Sequence, residues 1–283
     1  MKNMKDKICL ITGASSGIGK ATAIELAQRG ATVVMLCRNR AKGEAAAKEI
    51  GEKSGNDSVD IGIADFSSLA SVRRFADWFK NRYNRLDILI NNVGAVFGKR
   101  IITEDGLEAT FAVNHIAPFL LTNLLLDMLK RCAPSRIVNV ASAAERGGAI
   151  DFDDLQGEKR FRSWGAYSQS KLANILFTYE MARRLEGTGV TVNCLHPGVV
   201  ASNFGNEGSL LMRIFLKPSK LFMIGPAKGA ETSVYLASSS EVEEISGKYF
   251  IKKKQERSST QSYNSNTAKK LWEVSEAITQ LGK

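Results

Sequence analysis

Tyr167 and Lys171 stand four residues apart in Gly165-Ala166-Tyr167-Ser168-Gln169-Ser170-Lys171. On a helix that spacing puts a phenol and an ammonium on one face. A cation close to a phenol favours the ionised form, so the pair predicts a tyrosine of depressed pKa that can pass a proton near neutrality. Tyr and Lys meet at this spacing in many proteins. The pair gains meaning from a second motif far upstream, Thr12-Gly13-Ala14-Ser15-Ser16-Gly17-Ile18-Gly19.

That second motif follows a short apolar run and precedes Ile18, Ala21, Ile24 and Leu26 at helical spacing. A strand entering a helix through Gly13, Gly17 and Gly19 turns backbone N–H groups and the positive helix end toward a pyrophosphate. With no ligand it is simply a tight strand-to-helix turn. In dinucleotide folds an acid about 20 residues further on binds the ribose 2′-hydroxyl of NAD. Here the second strand ends Leu36-Cys37-Arg38-Asn39-Arg40, without an acid. A guanidinium can pair with a 2′-phosphate that a carboxylate would repel, so NADP(H) is expected over NAD(H), with Arg38 as reader.

These groups need a scaffold that brings them together. Apolar, β-branched runs at 8–12, 32–37, 59–64, 86–90, 136–140 and 191–195 alternate with helical patterns at 40–53, 68–80, 104–131 and 166–185. Near-continuous apolar strands alternating with helices predict a parallel sheet covered on both faces. Two stretches interrupt the rhythm. One, at 142–167, contains Gly147, Gly148, Asp151, Phe161 and Trp164; the other, at 202–224, contains Leu210, Leu211, Phe215, Phe222 and Met223. Both follow strand ends, where open α/β sheets place their ligand crevice, so they are read as a substrate wall and a lid.

Composition narrows the function classes. The 283 residues are 44% hydrophobic, enough for one substantial core. Cys9, Cys37, Cys132 and Cys194 are widely separated, three of them in apolar runs, and His115 and His196 are the only histidines. Neither a disulfide framework nor a zinc site is suggested, and a reducing, cytosolic compartment fits. No apolar run approaches the roughly 18 residues of a spanning helix, and residues 1–7 do not form a signal sequence. A soluble protein is expected. The net charge of +10 is scattered except at Lys252-Lys253-Lys254, with no zinc-finger, RNP or basic-zipper pattern, which argues against nucleic acid.

Taken in order, the 12–19 turn, Asn91-Asn92-Val93-Gly94, Asn114 in Val113-Asn114-His115, Ser142, Tyr167-x-x-x-Lys171 and Pro197-Gly198 resemble the short-chain dehydrogenase/reductase family over about residues 7–250. Within it the chain looks most like the retinol dehydrogenase-like members, through Leu155-Gln156-Gly157-Glu158-Lys159, Ser170-Lys171-Leu172-Ala173-Asn174, His196-Pro197-Gly198 and the tail from Ala268 to Glu276. The resemblance implies a Rossmann-type doubly wound sheet of about seven strands in the order 3-2-1-4-5-6-7, as one NADP-binding domain over 1–283. It also implies a catalytic tetrad of Asn114, Ser142, Tyr167 and Lys171. Ser142 would stabilise charge growing on a carbonyl oxygen while Tyr167 gives the proton. Lys171 would favour the ionised phenol and hold the nicotinamide ribose, and Asn114 a water linking Lys171 to solvent. Further cofactor contacts are implied at Gly13, Ser15, Ser16, Gly17, Ile18, Gly19, Arg38, Asp65, Phe66, Asn91, Val93, Gly94, Pro197, Gly198, Val200 and Ser202. Asp65 can also be read as capping the next helix.

Two substitutions depart from the family pattern, Val93 for a usual Ala and Ala141 for a frequent Ser, and neither removes a reacting group. No apolar anchor precedes the first strand, which favours a cytoplasmic protein over a microsomal one. The expected activity is an NADPH-dependent carbonyl reductase, reversible as an alcohol dehydrogenase, on a lipophilic aldehyde, ketone or alcohol. A specialised double-bond reductase and an NADP(H)-sensing binding protein are the alternatives, though a sensor needs no aligned proton donor. The 210–223 stretch, with Arg213, Lys217 and Lys220, can cover a lipophilic substrate, touch an anionic membrane surface, or pack as a core helix. Family habit suggests a homodimer or homotetramer through the 104–131 and 166–185 helices, whose apolar faces burial within one subunit also explains.

Overall fold

In β1 (Ile8–Thr12), Leu10 faces one side of the sheet while Cys9 and Ile11 face the other, and all three are buried. Side chains alternate along a strand, so burial on both faces leaves no polar register. The same division holds in β2 (Thr32–Cys37), with Val34 and Leu36 opposed to Val33, Met35 and Cys37. The computed structural model describes residues 3–198 and 224–281. Val200, Ser202 and the 202–223 part of the expected lid lie outside the described residues.

Among these residues the strands β1, β2, β3 (Val59–Ile63), β4 (Ile88–Asn91), β5 (Ser135–Val140), β6 (Val190–His196), β7 (Lys248–Ile251) and β8 (Lys254–Glu256) form one sheet in the order 3-2-1-4-5-6-7-8. All pairings are parallel except β7 with β8. The expected order 3-2-1-4-5-6-7 is present, and a short eighth strand extends it at the β7 edge. Lys252 and Lys253 form its two-residue turn with φ of 50° and 65°. Lysine is not a usual residue in such turns, which hid the hairpin from the sequence. Lys253 also pairs with Glu231 at 3.2 Å, so the basic run is a hairpin tip instead of a bare strand end.

On one face lie α1 (Gly17–Gln28), α2 (Arg40–Ser54) and a helix at Pro226–Ser238, contributing Ala23, Leu26, Ile50 and Val234. On the other lie α3 (Leu69–Arg82), a helix at Ala117–Leu124 and the long helix at Ser163–Arg184, contributing Val72, Phe75, Phe119 and Phe177. The strand order runs outward from β1 in opposite directions, to β2 and β3 on one side and to β4 and β5 on the other, and this switch point opens a crevice at the carboxyl edge.

The helix expected over 104–131 is broken. It starts at Ala109–Phe111 under the buried Glu108, whose carboxylate accepts from the N–H groups of Thr110 and Phe111 at 2.8 Å. It then widens into a π turn at Ala112–Ile116 before continuing as Ala117–Leu124 and Leu126–Arg131. The C-terminal helix Ser265–Thr279 lies along Ser163–Arg184, with Trp272 packed at 5.0 Å from Phe119 and 5.8 Å from Phe177, ring centre to ring centre. Burial within one chain therefore accounts for much of the apolar surface of these helices. Among the described residues no helix is long and apolar enough to cross a membrane.

Candidate active site

Each sequence motif stands at the carboxyl end of its own strand: the glycine turn after β1, Arg38 after β2, Asp65 after β3, Asn92 to Gly94 after β4, Ser142 after β5 and Pro197 and Gly198 after β6. The topology thus gathers into one crevice residues that the chain scatters over nearly 200 positions.

The glycine turn is built by steric need. Gly13 and Gly17 have φ of 69° and 56°, which favour glycine. A Cβ on Gly19 would sit 2.5 Å from both Asn92 Nδ2 and the Gly13 carbonyl oxygen. Asn92, absent from the sequence-derived site, is the buttress: its Nδ2 donates to the Thr12 carbonyl at 2.8 Å, while Thr12 Oγ1 accepts from the N–H groups of Asn92 and Val93 at 2.9 and 3.0 Å. The side chain of Ser16 does not cap α1, so the first N–H groups of that helix are left for a ligand. Gly19→Ala is expected to weaken dinucleotide binding by about tenfold or more, because the intruding methyl meets backbone. Titration of the variant with NADPH checks this.

Arg38 is exposed at the end of β2, and its neighbour Cys37 hydrogen-bonds to Ser15 of the glycine turn. Asn39 is committed to α2, accepting from the Lys42 N–H at 2.9 Å. Asp65 is held locally, its Oδ1 accepting from the N–H and hydroxyl of Ser67 at 2.9 and 2.7 Å, while Ser68 caps α3. The capping expectation for Asp65 is therefore not met: the cap is Ser68, and Asp65 instead closes a turn on Ser67. The Phe66 side chain is buried in the core at 5% exposure. Asn91 is buried too, donating to Thr122 Oγ1 and Asn139 Oδ1, both at 2.9 Å, so its side chain braces the adjacent strands β4 and β5.

The four tetrad residues converge. Ser142 and Tyr167 share a side-chain hydrogen bond, and Lys171 Nζ lies 5.6 Å from the Tyr167 ring centre. Lys171 Nζ donates to the Val140 carbonyl at 3.1 Å, and a Cβ on Gly94 would fall 3.1 Å from that nitrogen. Glycine at 94 thus keeps the space before the ammonium open. Asn114 Oδ1 accepts from the Ala95 N–H at 2.7 Å, and its Nδ2 donates to Ala95 O and Ser170 Oγ, each at 2.9 Å. Ser170 in turn donates to the Tyr167 carbonyl at 2.7 Å. This accounts for the π turn: it aims the Asn114 amide at the Gly94–Ala95 segment, which no local pattern announces. With both amide hydrogens spent, one lone pair on Oδ1 is what the side chain can still offer a water.

The electrostatics correct the sequence expectation for Tyr167. Burial pushes its phenol up to about 12 despite the hydrogen bond with Ser142, which pulls the other way. Burial likewise pushes Lys171 down to about 8. Desolvation of the phenolate outweighs the nearby ammonium, which is itself desolvated. The phenol keeps its proton at neutral pH, the state a proton donor needs.

Two residues the sequence reading passed over hold the Ser142 turn. His196 Nδ1 accepts from the Ala143 N–H at 3.2 Å, and burial holds the imidazole below its ordinary range, in the neutral form that can accept. Glu145 is fully buried three residues beyond Ser142. Their partners lie far away in sequence, so no spacing rule marks them.

The family model for short chain dehydrogenases matches residues 7–209. Retinol dehydrogenase 14 of Homo sapiens is 47% identical, the match covering 99% of this chain and 88% of that protein. Retinol dehydrogenase 13 of Homo sapiens is 45% identical, covering 97% and 85%. Among solved structures, an uncharacterised protein from Mycobacterium Paratuberculosis superposes with a TM-score of 0.81 at 34% identity, covering 99% of this chain and 96% of that one. A short chain dehydrogenase from Shigella flexneri complexed with NADP superposes with a TM-score of 0.71 at 25% identity, covering 90% and 100%.

Proposed function

The chain belongs to the short chain dehydrogenase family and is an oxidoreductase; on that premise we propose that it is an NADPH-dependent reductase of lipophilic aldehydes and ketones, reversible as an alcohol dehydrogenase. The observation that carries this reading is the hydrogen-bonded Ser142–Tyr167 pair with Lys171 behind it, at the same carboxyl edge of the sheet as the glycine turn. The residues fit a dinucleotide: Gly94 leaves room before Lys171 that a Cβ would fill, and α1 offers uncapped N–H groups. Bound NADPH supplies the hydride.

The chain's own residues do the rest. Gly13 to Gly19 would hold the pyrophosphate, Arg38 the 2′-phosphate, and Lys171 the nicotinamide ribose. Ser142 Oγ accepts from the Ala144 N–H at 3.2 Å, and its own O–H, shared with Tyr167 in this structure, would donate to the carbonyl oxygen of a bound substrate. Tyr167 then delivers its proton to that oxygen as charge develops there. The remaining donors of Lys171 and the Oδ1 lone pair of Asn114 are placed to return a proton from solvent.

The lipophilic substrate is supported by Trp164, one turn before Tyr167, with its ring 5.4 Å from the phenol ring yet 57% exposed. An exposed indole beside the reacting hydroxyl is a ready apolar platform. Trp164→Ala is expected to raise KM for a long-chain or aryl aldehyde about tenfold, from loss of about 60 Å² of apolar contact. KM for a small, water-soluble aldehyde is the control and stays near wild type. The names of the relatives favour a retinal- or retinol-like substrate. The whole of 1–283 is read as one NADP-binding domain; a homodimer or homotetramer would have to pair around the Ser265–Thr279 helix, which already occupies part of the long helix's surface.

The test is to follow cofactor absorbance with retinal, straight-chain aldehydes, quinones and steroid ketones, using NADPH and NADH in parallel. Saturable binding without oxidation across the panel would instead identify a dinucleotide sensor.

A further inference from the structure

The Ser142 turn is anchored from an unexpected direction. Glu145, with its side chain 0% exposed, accepts at Oε1 from the Ser259 N–H at 2.9 Å. Its neighbour Arg146 donates from Nη2 to the Arg257 carbonyl at 2.9 Å. Residues 257–259 follow the β8 hairpin and are themselves tied to the helix that carries Tyr167. Ser258 Oγ lies 2.7 Å from the Tyr179 hydroxyl, and Tyr179 stacks on Tyr263 with ring centres 5.4 Å apart. Tyr179 stands roughly three helical turns beyond Tyr167.

A closed circuit results. It runs from Ser142 through its turn to Glu145, across to Ser259 and Ser258, through Tyr179 into the Ser163–Arg184 helix, and back through Tyr167 to Ser142. We propose that the 257–263 segment is a strap that sets the separation of Ser142 and Tyr167, with Glu145 as the positioning residue that transmits it. The Glu145–Ser259 bond at 2.9 Å, made by a fully buried side chain, is shorter than the 3.2 Å bond from Ala143 to His196. Within Ala143–Gly147 the remaining ties are short-range: Glu145 N–H to the Ser142 carbonyl at 3.1 Å and Gly148 N–H to the Glu145 carbonyl at 3.0 Å. These shape the turn, and its far end rests on the helix at Gly148, where a Cβ would fall 2.5 Å from the Ser168 carbonyl oxygen, so the strap acts on the Ser142 end. Hydrogen-bond donors to a reacting oxygen tolerate little displacement, so slack in the turn is felt in the chemical step.

The inference rests on the reductase reading, so wild-type turnover is established first; a wild type inert toward every carbonyl would sink that reading and not the strap alone. Glu145→Ala is then expected to lower kcat about tenfold or more, with NADPH binding unchanged. Glu145→Gln retains an acceptor at Oε1 and is expected to recover most of the loss. Ser259→Pro cuts the same bond from the other side: its φ of −62° suits a proline ring, and the missing N–H is the donor. Should Glu145→Ala fold poorly, Ser259→Pro carries the experiment. The deciding measurement adds each change to a Ser142→Ala background. If Glu145 acts through Ser142, the added loss shrinks to less than about twofold. An undiminished loss in that background, or wild-type kcat in both Glu145→Ala and Ser259→Pro, would overturn the proposal.

Discussion

Replacing Tyr167 with Phe is expected to lower carbonyl reduction by about 10²–10⁴-fold, the usual contribution of a positioned general acid, while NADPH still binds. The ring is 7% exposed, packed between Trp164 and Lys171, and Phe preserves that packing. What goes is the hydroxyl that shares a hydrogen bond with Ser142. Among the described residues the neighbouring groups are poor substitutes: Ser142 is an alcohol of far higher pKa, His196 accepts at Nδ1 from Ala143, and Lys171 Nζ is engaged by the Val140 carbonyl behind the phenol. The pH dependence follows from signs already given. Because burial raises the phenol to about 12, the protonated donor persists throughout the neutral range, and reduction should be flat in pH until Lys171, depressed to about 8, begins to lose its charge. Alcohol oxidation needs the phenolate, so its rate should climb with pH, by about tenfold per unit while the phenol is mostly protonated. Initial rates in both directions from pH 6 to 9, with NADPH titrations of the variant, provide the measurement. Full turnover in Tyr167→Phe would remove Tyr167 from the mechanism.

What the sequence disclosed and what it hid divide along a physical line. The glycine turn, the strands and the Tyr167–Lys171 pair were legible because a turn's φ, a strand's two-sided burial and a helix's spacing are all written within a few residues. The break at Asn114 was not, because the π turn answers to Ala95 and Ser170, 19 and 56 residues away. The hairpin at Lys252 and Lys253 was not, because its left-handed residues are held by strand pairing instead of by turn chemistry. Asn92, His196 and Glu145 escaped for the same reason as Asn114: each acts through a partner that only the folded sheet supplies. The sign of the Tyr167 shift was misjudged because spacing reports the distance to a charge and says nothing about how dry the site is.

Replacing Arg38 with Glu is expected to lower the preference for NADPH over NADH by about 10²–10³-fold, combining the loss of charge-assisted bonds, about 1.5–3 kcal/mol for a hydrogen bond to a charged group, with repulsion between two anions. The choice of Arg38 among the cations nearby is structural. Arg40 leans along α2 toward Glu44 at 3.8 Å, and Asn39 between them spends its side chain on the Lys42 N–H. Arg38 follows Cys37, whose hydrogen bond to Ser15 places the end of β2 against the glycine turn. The Gly13 N–H donates to the Leu36 carbonyl at 2.8 Å, closing the same contact through the backbone. A 2′-phosphate on an adenosine held over that turn would therefore meet the Arg38 position first. Comparing kcat/KM for NADPH and NADH in wild type, Arg38→Ala and Arg38→Glu separates the two contributions, since Ala removes the attraction and Glu adds the repulsion. Equal ratios in all three proteins would show that the discriminating group lies elsewhere in the crevice.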